Sequence, residues 1–236
     1  IRSCLVGSEM CIRDRGKEIL FALIKKSDVI LHNFRAGVVD RLGLDYDSVR
    51  AINPSIVYTV ISGFGAKGPR SADPAYDGAV QAAAGMMANN GTAESGPLRT
   101  GYMPVDLMTG MTAAYATTAA LLRKQKTGKG QMVDVAMLDC AITLGSANFS
   151  RSEVDDIPDM LIGNQSITSA PTASSFPTAE GSILTAAIMP NHVEAFFDEI
   201  GLKEMLNDPK FATREARIEN KEIVRDAMIE ALKSDT

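Results

Sequence analysis

Asp106 is the residue in this sequence with the clearest chemistry to offer. It stands in P-V-D-L-M-T-G at 104–110, where a stretch of helical spacing over 105–125 begins. A carboxylate in the first turn of a helix sits beside unpaired backbone N–H groups and the positive end of the helix dipole. Those would hold it ionised and could stabilise an oxyanion next to it. A plain capping aspartate asks for the same residue, and this segment taken alone favours the cap.

Other motifs carry less. G-F-G-A-K-G-P at 63–69 follows an apolar run and so falls where α/β folds bind ligands, beyond the carboxyl end of a strand, although a connecting loop reads the same way. T-G-K-G at 127–130 lacks the P-loop order: it comes after a helical stretch and before a strand, with no Ser or Thr behind the Lys. A basic helix end with a glycine cap accounts for Arg123, Lys124, Lys126 and Lys129. The two histidines, His32 and His192, and the cysteines Cys4, Cys11 and Cys140 form no cluster in spacing, and there is no G-x-S-x-G elbow. No metal site is expected, and a serine-triad hydrolase is disfavoured. Asp134 and Asp139 flank an apolar strand and read as structural. Met86, Met87 and Met103 suit either an acyl pocket or core filling, the usual work of Met.

The elements that must position these groups alternate in type. Helical spacing appears at 16–26, a short β-branched run at 27–31, and a helix at 48–54 stopped by Pro54. The run at 55–65 is the clearest strand, apolar almost throughout, as a doubly covered parallel strand should be. Helices rich in small residues follow at 76–88 and 105–125, then a strand at 131–138 and a helix at 139–149. This alternation predicts an α/β fold with a mostly parallel sheet. Residues 151–175 are polar and read as a linker. A smaller α+β unit over 176–236 opens with a hairpin around Glu180-Gly181 and continues with helices at 191–200 and 217–233. The opening fifteen residues show no clean period and no initiator Met, so 1–15 is expected to be a non-native artefact, with 16–150 the larger domain and the whole chain a fragment.

Composition narrows the function classes. The 236 residues hold 45% hydrophobic and 22% charged side chains, values of a folded globular chain. With 24 Lys and Arg against 29 Asp and Glu, no global basic field draws the chain to nucleic acid or an anionic membrane. No apolar run reaches the roughly 20 residues of a membrane helix. Three cysteines cannot build a disulfide framework, so a cytoplasmic location is expected.

Taken in order, four segments stop being independent: S-D-V-I-L-H-N-F-R-A-G-V-V-D-R-L-G-L-D-Y, I-N-P-S-I-V-Y-T-V-I-S-G-F-G, P-V-D-L-M-T-G and K-T-G-K-G-Q-M-V-D-V-A-M-L-D. Together they resemble the class III, CaiB/BaiF-like CoA-transferases, as do G-N-Q at 163–165, F-P-T-A-E-G at 176–181 and D-P-K-F-A-T-R-E-A-R at 208–217. The resemblance implies an incomplete Rossmann-like, mostly parallel domain, part of a smaller domain, and an interlinked homodimer. It implies an enzyme that moves CoA from an acyl-CoA donor to a carboxylic acid acceptor, with the acyl-CoA as substrate and no permanently bound cofactor. The family's catalytic aspartate falls on Asp106, reversing the preference for a cap. Its carboxylate would form a mixed anhydride and then an aspartyl-CoA thioester. Such an anhydride demands a dry site, and Gly110, Ala113 and Ala114 would allow the close packing this needs. The family's CoA contacts fall on Asn33, Phe34 and Arg41, and on Gly63 and Phe64 at the strand end. Some members carry a glycine-rich loop where this chain has I-T-S-A-P-T-A-S-S at 167–175.

The family also includes α-methylacyl-CoA racemases, which use a His in G-H-D together with the equivalent aspartate. The matching triplet here is Ala75-Tyr76-Asp77, and a phenol is a poorer base near neutral pH than an imidazole, which favours transfer. A non-catalytic acyl-CoA-binding protein is a further alternative. A nicotinamide-dependent oxidoreductase is the fold-level alternative, and fold alone does not decide between them.

Overall fold

The run Ile56-Val57-Tyr58-Thr59-Val60 is buried at every position, which only a strand covered on both faces can be. In the computed structural model, which describes residues 6–155 and 161–233, that run forms most of β2 (Val57–Ser62). β2 lies between β1 (Val29–His32) and β3 (Gln131–Ala136), and both pairings are parallel. His32 stands opposite Val60, so the chain leaves the sheet at Asn33 while β2 continues to Ser62. This α/β arrangement with a parallel sheet is the class the alternation predicts.

Seven helices accompany this sheet among the described residues: α1 (Val6–Ile24), α2 (Val38–Leu42), α3 (Tyr46–Ile52), α4 (Asp77–Ala83), α5 (Pro104–Thr127), α6 (Met137–Leu144) and α7 (Ser146–Asp155). The alternating side chains of β2 divide the core between them. Tyr58 and Val60 pack with Ile24 of α1, Val49 of α3 and Leu44. Val57 packs with Val133 and Val135 of β3, Ala113 and Ala120 of α5, and Cys140 of α6. Between those two alanines, Thr117 of α5 meets Thr59 of β2 hydroxyl to hydroxyl at 2.7 Å. Small side chains therefore bring the 24-residue α5 close against the sheet. At its far end Gly128 takes the left-handed conformation that closes a helix (φ +70°), donating its N–H to the Lys124 carbonyl at 2.7 Å. Lys124 reaches Asp28, just before β1, at 2.8 Å. T-G-K-G is thus a helix cap leading into β3.

Some boundaries differ from the sequence expectation. The helix expected from residue 16 begins at Val6, so part of the stretch set aside is helical, and residues 1–5 lie outside the described residues. The helix expected at 76–88 ends at Ala83, followed by a short 3₁₀ turn at Met86–Asn89. The one expected at 139–149 divides at Gly145 into α6 and α7.

A second compact unit comprises residues 89–97 and the described residues from 161 onward. It holds an antiparallel pair, β4 (Ser175–Pro177) and β5 (Ser182–Leu184), closing around Glu180-Gly181 as expected. The helices α8 (Pro190–Glu199), α9 (Pro209–Ala212), α10 (Arg214–Glu219) and α11 (Lys221–Leu232) follow. Phe176, Val193, Phe197, Phe211, Val224 and Met228 form its core. Within the polar stretch at 151–175, Thr172 and Ser174 are buried, the Thr172 hydroxyl donating to the Ala187 carbonyl. The D-P-K-F-A-T-R-E-A-R segment is a capping device: Asp208 accepts the Lys210 N–H, Thr213 accepts the Ala216 N–H, and buried Arg217 donates to the carbonyls of Phe211 (2.7 Å) and Ala212 (3.2 Å).

Candidate functional site

Asp106 occupies the first turn of α5, two residues after Pro104, whose missing N–H costs nothing at a helix start. It opens onto a cleft of about 480 Å³ in the first unit. The walls come from the carboxyl ends of β1 and β2 (Asn33, Phe34, Gly63), the loop at 71–76, and Thr109 and Gly110 of α5. This is where a parallel sheet is expected to offer a ligand site. Gly63 is held tight by the loop, since a Cβ built on it would lie 2.2 Å from the Ala75 Cβ.

The structure therefore brings Asp106 together with Asn33, Phe34 and Gly63, and leaves two expected residues elsewhere. Arg41 is exposed on α2, outside the cleft lining. Phe64 lies beneath Arg70, whose guanidinium carbon is 3.8 Å from the ring centre, and Arg70 in turn pairs with Asp73 at 2.9 Å. Arg35, Asp73 and Tyr76 line the cleft as well. Of the small residues expected to pack around the helix, Ala113 is buried, Ala114 is exposed, and Gly110 faces the cleft with open space where a Cβ would be. None of the three methionines lines it: Met86 packs against the core and Met103 is exposed. Among the described residues, no group of three or more His, Cys, Asp or Glu gathers to hold a metal ion, and no helix is long and apolar enough to cross a membrane.

The environment of Asp106 differs from the expectation in one respect. The free N–H groups of the α5 first turn are not open to an oxyanion, because Asp77 takes both. Its Oδ2 accepts the Val105 N–H at 2.9 Å and the Asp106 N–H at 3.0 Å. The Asp106 carboxyl itself is pushed above the usual carboxylate range, chiefly by burial and further by the negative charge of Asp77. Nothing in the local sequence of either residue announces this pairing, because they sit on different helices.

Beside the cleft, and sharing Phe34, Arg35 and Ser62 with it, lies a smaller hollow of about 230 Å³. His32 lines it, and its hydrogen bonds fix its tautomer. Tyr58 donates its hydroxyl to the Leu44 carbonyl at 2.7 Å, so the Tyr58 oxygen must accept from His32 Nε2 at 2.8 Å. His32 Nδ1 is then free to accept the Phe34 N–H at 3.3 Å. Burial lowers the His32 pKa, in keeping with this neutral form, and burial raises the Tyr58 phenol to about 12.

The family model of CoA-transferase family III matches residues 12–236. The chain belongs to that family. Family III relatives include a formyl-CoA:oxalate CoA-transferase of Streptomyces avermitilis, 36% identical over 220 residues, with 87% of this chain and 54% of that protein aligned. The succinate–glutarate CoA-transferase of Agrobacterium fabrum is 30% identical over 210 residues, covering 89% of this chain and 52% of that one. The crystal structure of a CaiB/BaiF family protein from Brucella suis superposes with a TM-score of 0.82 at 28% identity, over 94% of this chain and 58% of that chain. The family III chain described here thus spans about half the length of the curated relatives it matches.

Proposed function

We propose that the Asp106 cleft transfers CoA between an acyl-CoA and a free carboxylic acid. The observation that carries this is the position of Asp106: a carboxylate of raised pKa, facing the residues at the carboxyl ends of β1 and β2 across one cleft. The transferase names of the family III relatives support it.

In the first step an Asp106 carboxylate oxygen attacks the thioester carbonyl. A C–O bond forms, the C–S bond breaks, and CoA leaves as thiolate. The thiolate then attacks the Asp106 carbonyl carbon of the mixed anhydride, forming an aspartyl thioester and releasing the first acid as carboxylate. The acceptor carboxylate attacks that thioester, giving a second anhydride and thiolate, and the thiolate recaptures the new acyl group, regenerating Asp106. Each bond broken is matched by one formed, and no net proton transfer is needed. The raised basicity of Asp106 favours its role as nucleophile. The anhydride must be kept from water, and the acyl-CoA filling the cleft serves that purpose. Asn33, Phe34 and Gly63 contact the CoA chain, Arg41 on α2 is available to a phosphate, and Phe64 contributes by supporting Arg70. Tyr76 at the cleft wall, in place of an imidazole, favours transfer over racemisation. The working protein in this reading is a cytoplasmic interlinked homodimer without a resident cofactor.

The test is to incubate the full-length protein with formyl-, acetyl- and succinyl-CoA, trap with hydroxylamine, and search the peptides by mass spectrometry. A hydroxamate on Asp106, absent from Asp106→Asn, is expected. CoA binding without any modification of Asp106 across the donors would overturn the proposal.

A further inference from the structure

Asp77 is buried, 6% exposed, at the start of α4, and its two oxygens are fully committed. Oδ2 accepts the N–H groups of Val105 and Asp106, and Oδ1 accepts the side-chain amide of Gln81. Gln81 is itself buried. Its Oε1 accepts the Thr100 N–H at 3.0 Å, and its Nε2 also donates to the Thr100 hydroxyl at 3.0 Å. Thr100 in turn donates to the Tyr102 carbonyl at 2.8 Å. A continuous polar chain thus fastens the segment from Thr100 to Asp106, through which the backbone enters α5.

The two N–H groups held by Asp77 are among those a helix cannot satisfy internally. Left free, they would hydrogen-bond any carboxylate at this end of α5 and lower its basicity, and with it its nucleophilicity. We infer that Asp77 is a positioning residue that reserves these donors, denying them to the Asp106 carboxylate and so keeping it basic and nucleophilic. The inference rests on Asp106 being the nucleophile. Its electrostatic side agrees: Asp77 is the one charged group that shifts Asp106, and it shifts it upward. The other titratable groups on elements packed against α5 are Tyr58 on β2, Asp134 on β3, and Asp139 and Cys140 on α6. The cleft wall adds Arg35, Tyr76 and Asp73, the last paired with Arg70.

The geometry also supplies a variant that moves the charge without dismantling the network. In the double variant D77N/Q81E the carboxamide introduced at position 77 accepts from Val105 and Asp106 through its carbonyl. Its amide donates to the carboxylate introduced at position 81. The second oxygen of that carboxylate keeps the Thr100 N–H, and the negative charge retreats one side chain from α5. The one bond given up is that from position 81 to the Thr100 hydroxyl, which still donates to Tyr102. Carboxyl carbon NMR, with the Asp106 signal assigned through Asp106→Asn, follows the titration in wild type and variant alike. The expected result is a fall in the Asp106 midpoint in the folded variant. In the full-length protein, hydroxamate formation should slow by on the order of tenfold, the lower end of what substituting an orienting partner costs elsewhere, with CoA affinity unchanged. An unmoved midpoint in a folded variant overturns the inference and leaves the transferase proposal standing. A lowered midpoint with no hydroxamate on wild-type Asp106 overturns both. A third measurement needs no variant: a Val105 N–H signal that tracks the Asp106 titration would mean Asp106 competes for that donor, contrary to the inference.

Discussion

Gly63 and Ala75 pack so closely that the end of β2 and the loop at 71–76 share a single contact surface, with no room between them for another methyl group. That contact sets one wall of the Asp106 cleft. Gly63→Ala forces its new Cβ against the Ala75 Cβ, and overpacking of this kind costs about 1–3 kcal/mol. The loop should also swing outward, weakening CoA binding. Denaturant unfolding and a CoA titration check both effects, and wild-type values in both would refute the wall as described.

Gly110 offers the opposite situation, a helical glycine with nothing near its missing Cβ. Gly110→Ala should stabilise α5 by up to about 1 kcal/mol, the usual helix advantage of alanine over glycine. Gly110→Leu would project into the cleft and should weaken acyl-CoA binding while leaving the fold intact. Thermal melts and binding titrations separate the two variants, and unimpaired acyl-CoA binding by Gly110→Leu would place the ligand elsewhere.

His32 predicts a response to acid. Its folded pKa is depressed by burial, so the stability it contributes is fully present above the reference imidazole value of about 6.5 and is lost as pH falls through the lowered folded value. Protonation puts a hydrogen on Nδ1 and removes the acceptor of the Phe34 N–H. Melting temperature should therefore drop with acid more steeply in wild type than in His32→Gln, and parallel curves for the two would contradict the assignment.

Arg217 carries a prediction for the second unit. Arg217→Met leaves the Phe211 and Ala212 carbonyls without their donor, a loss of about 1–3 kcal/mol for a buried acceptor. Arg217→Lys should recover only part, because one ammonium on a flexible stem replaces a rigid fork. Urea unfolding of the three proteins gives the ranking, and a Met variant as stable as wild type would show that these bonds contribute nothing.

Much of the first unit was legible because its signals are local. The buried stretch of β2 writes itself as an apolar run, and the Pro before Asp106 marks a helix start. Asp106 could be singled out on those grounds, with Asn33, Phe34 and Gly63 following from the resemblance. What the sequence hid is contact across elements. Asp77 meets the α5 backbone from another helix, and neither residue's neighbours differ from those of an ordinary cap. Residues 6–15 escaped for another reason: hydrophobic spacing reports which helix faces are buried, and a helical segment without that spacing gives periodicity nothing to detect. Phe64 was an aromatic at a strand end, a position open to ligand or neighbour, and Arg70 took it.

The bridge between Lys124 and Asp28 closes a frame. From Asp28 the chain runs along β1 to Asn33 at the cleft. From Asp106, across the same cleft, α5 runs back to Lys124, a span of about 27 Å at the helical rise. Asn33 and Asp106 are thus neighbouring corners of one quadrilateral whose far side is an ion pair. A strand and a helix form two sides and the ion pair a third, leaving the ligand side as the opening through which substrate enters.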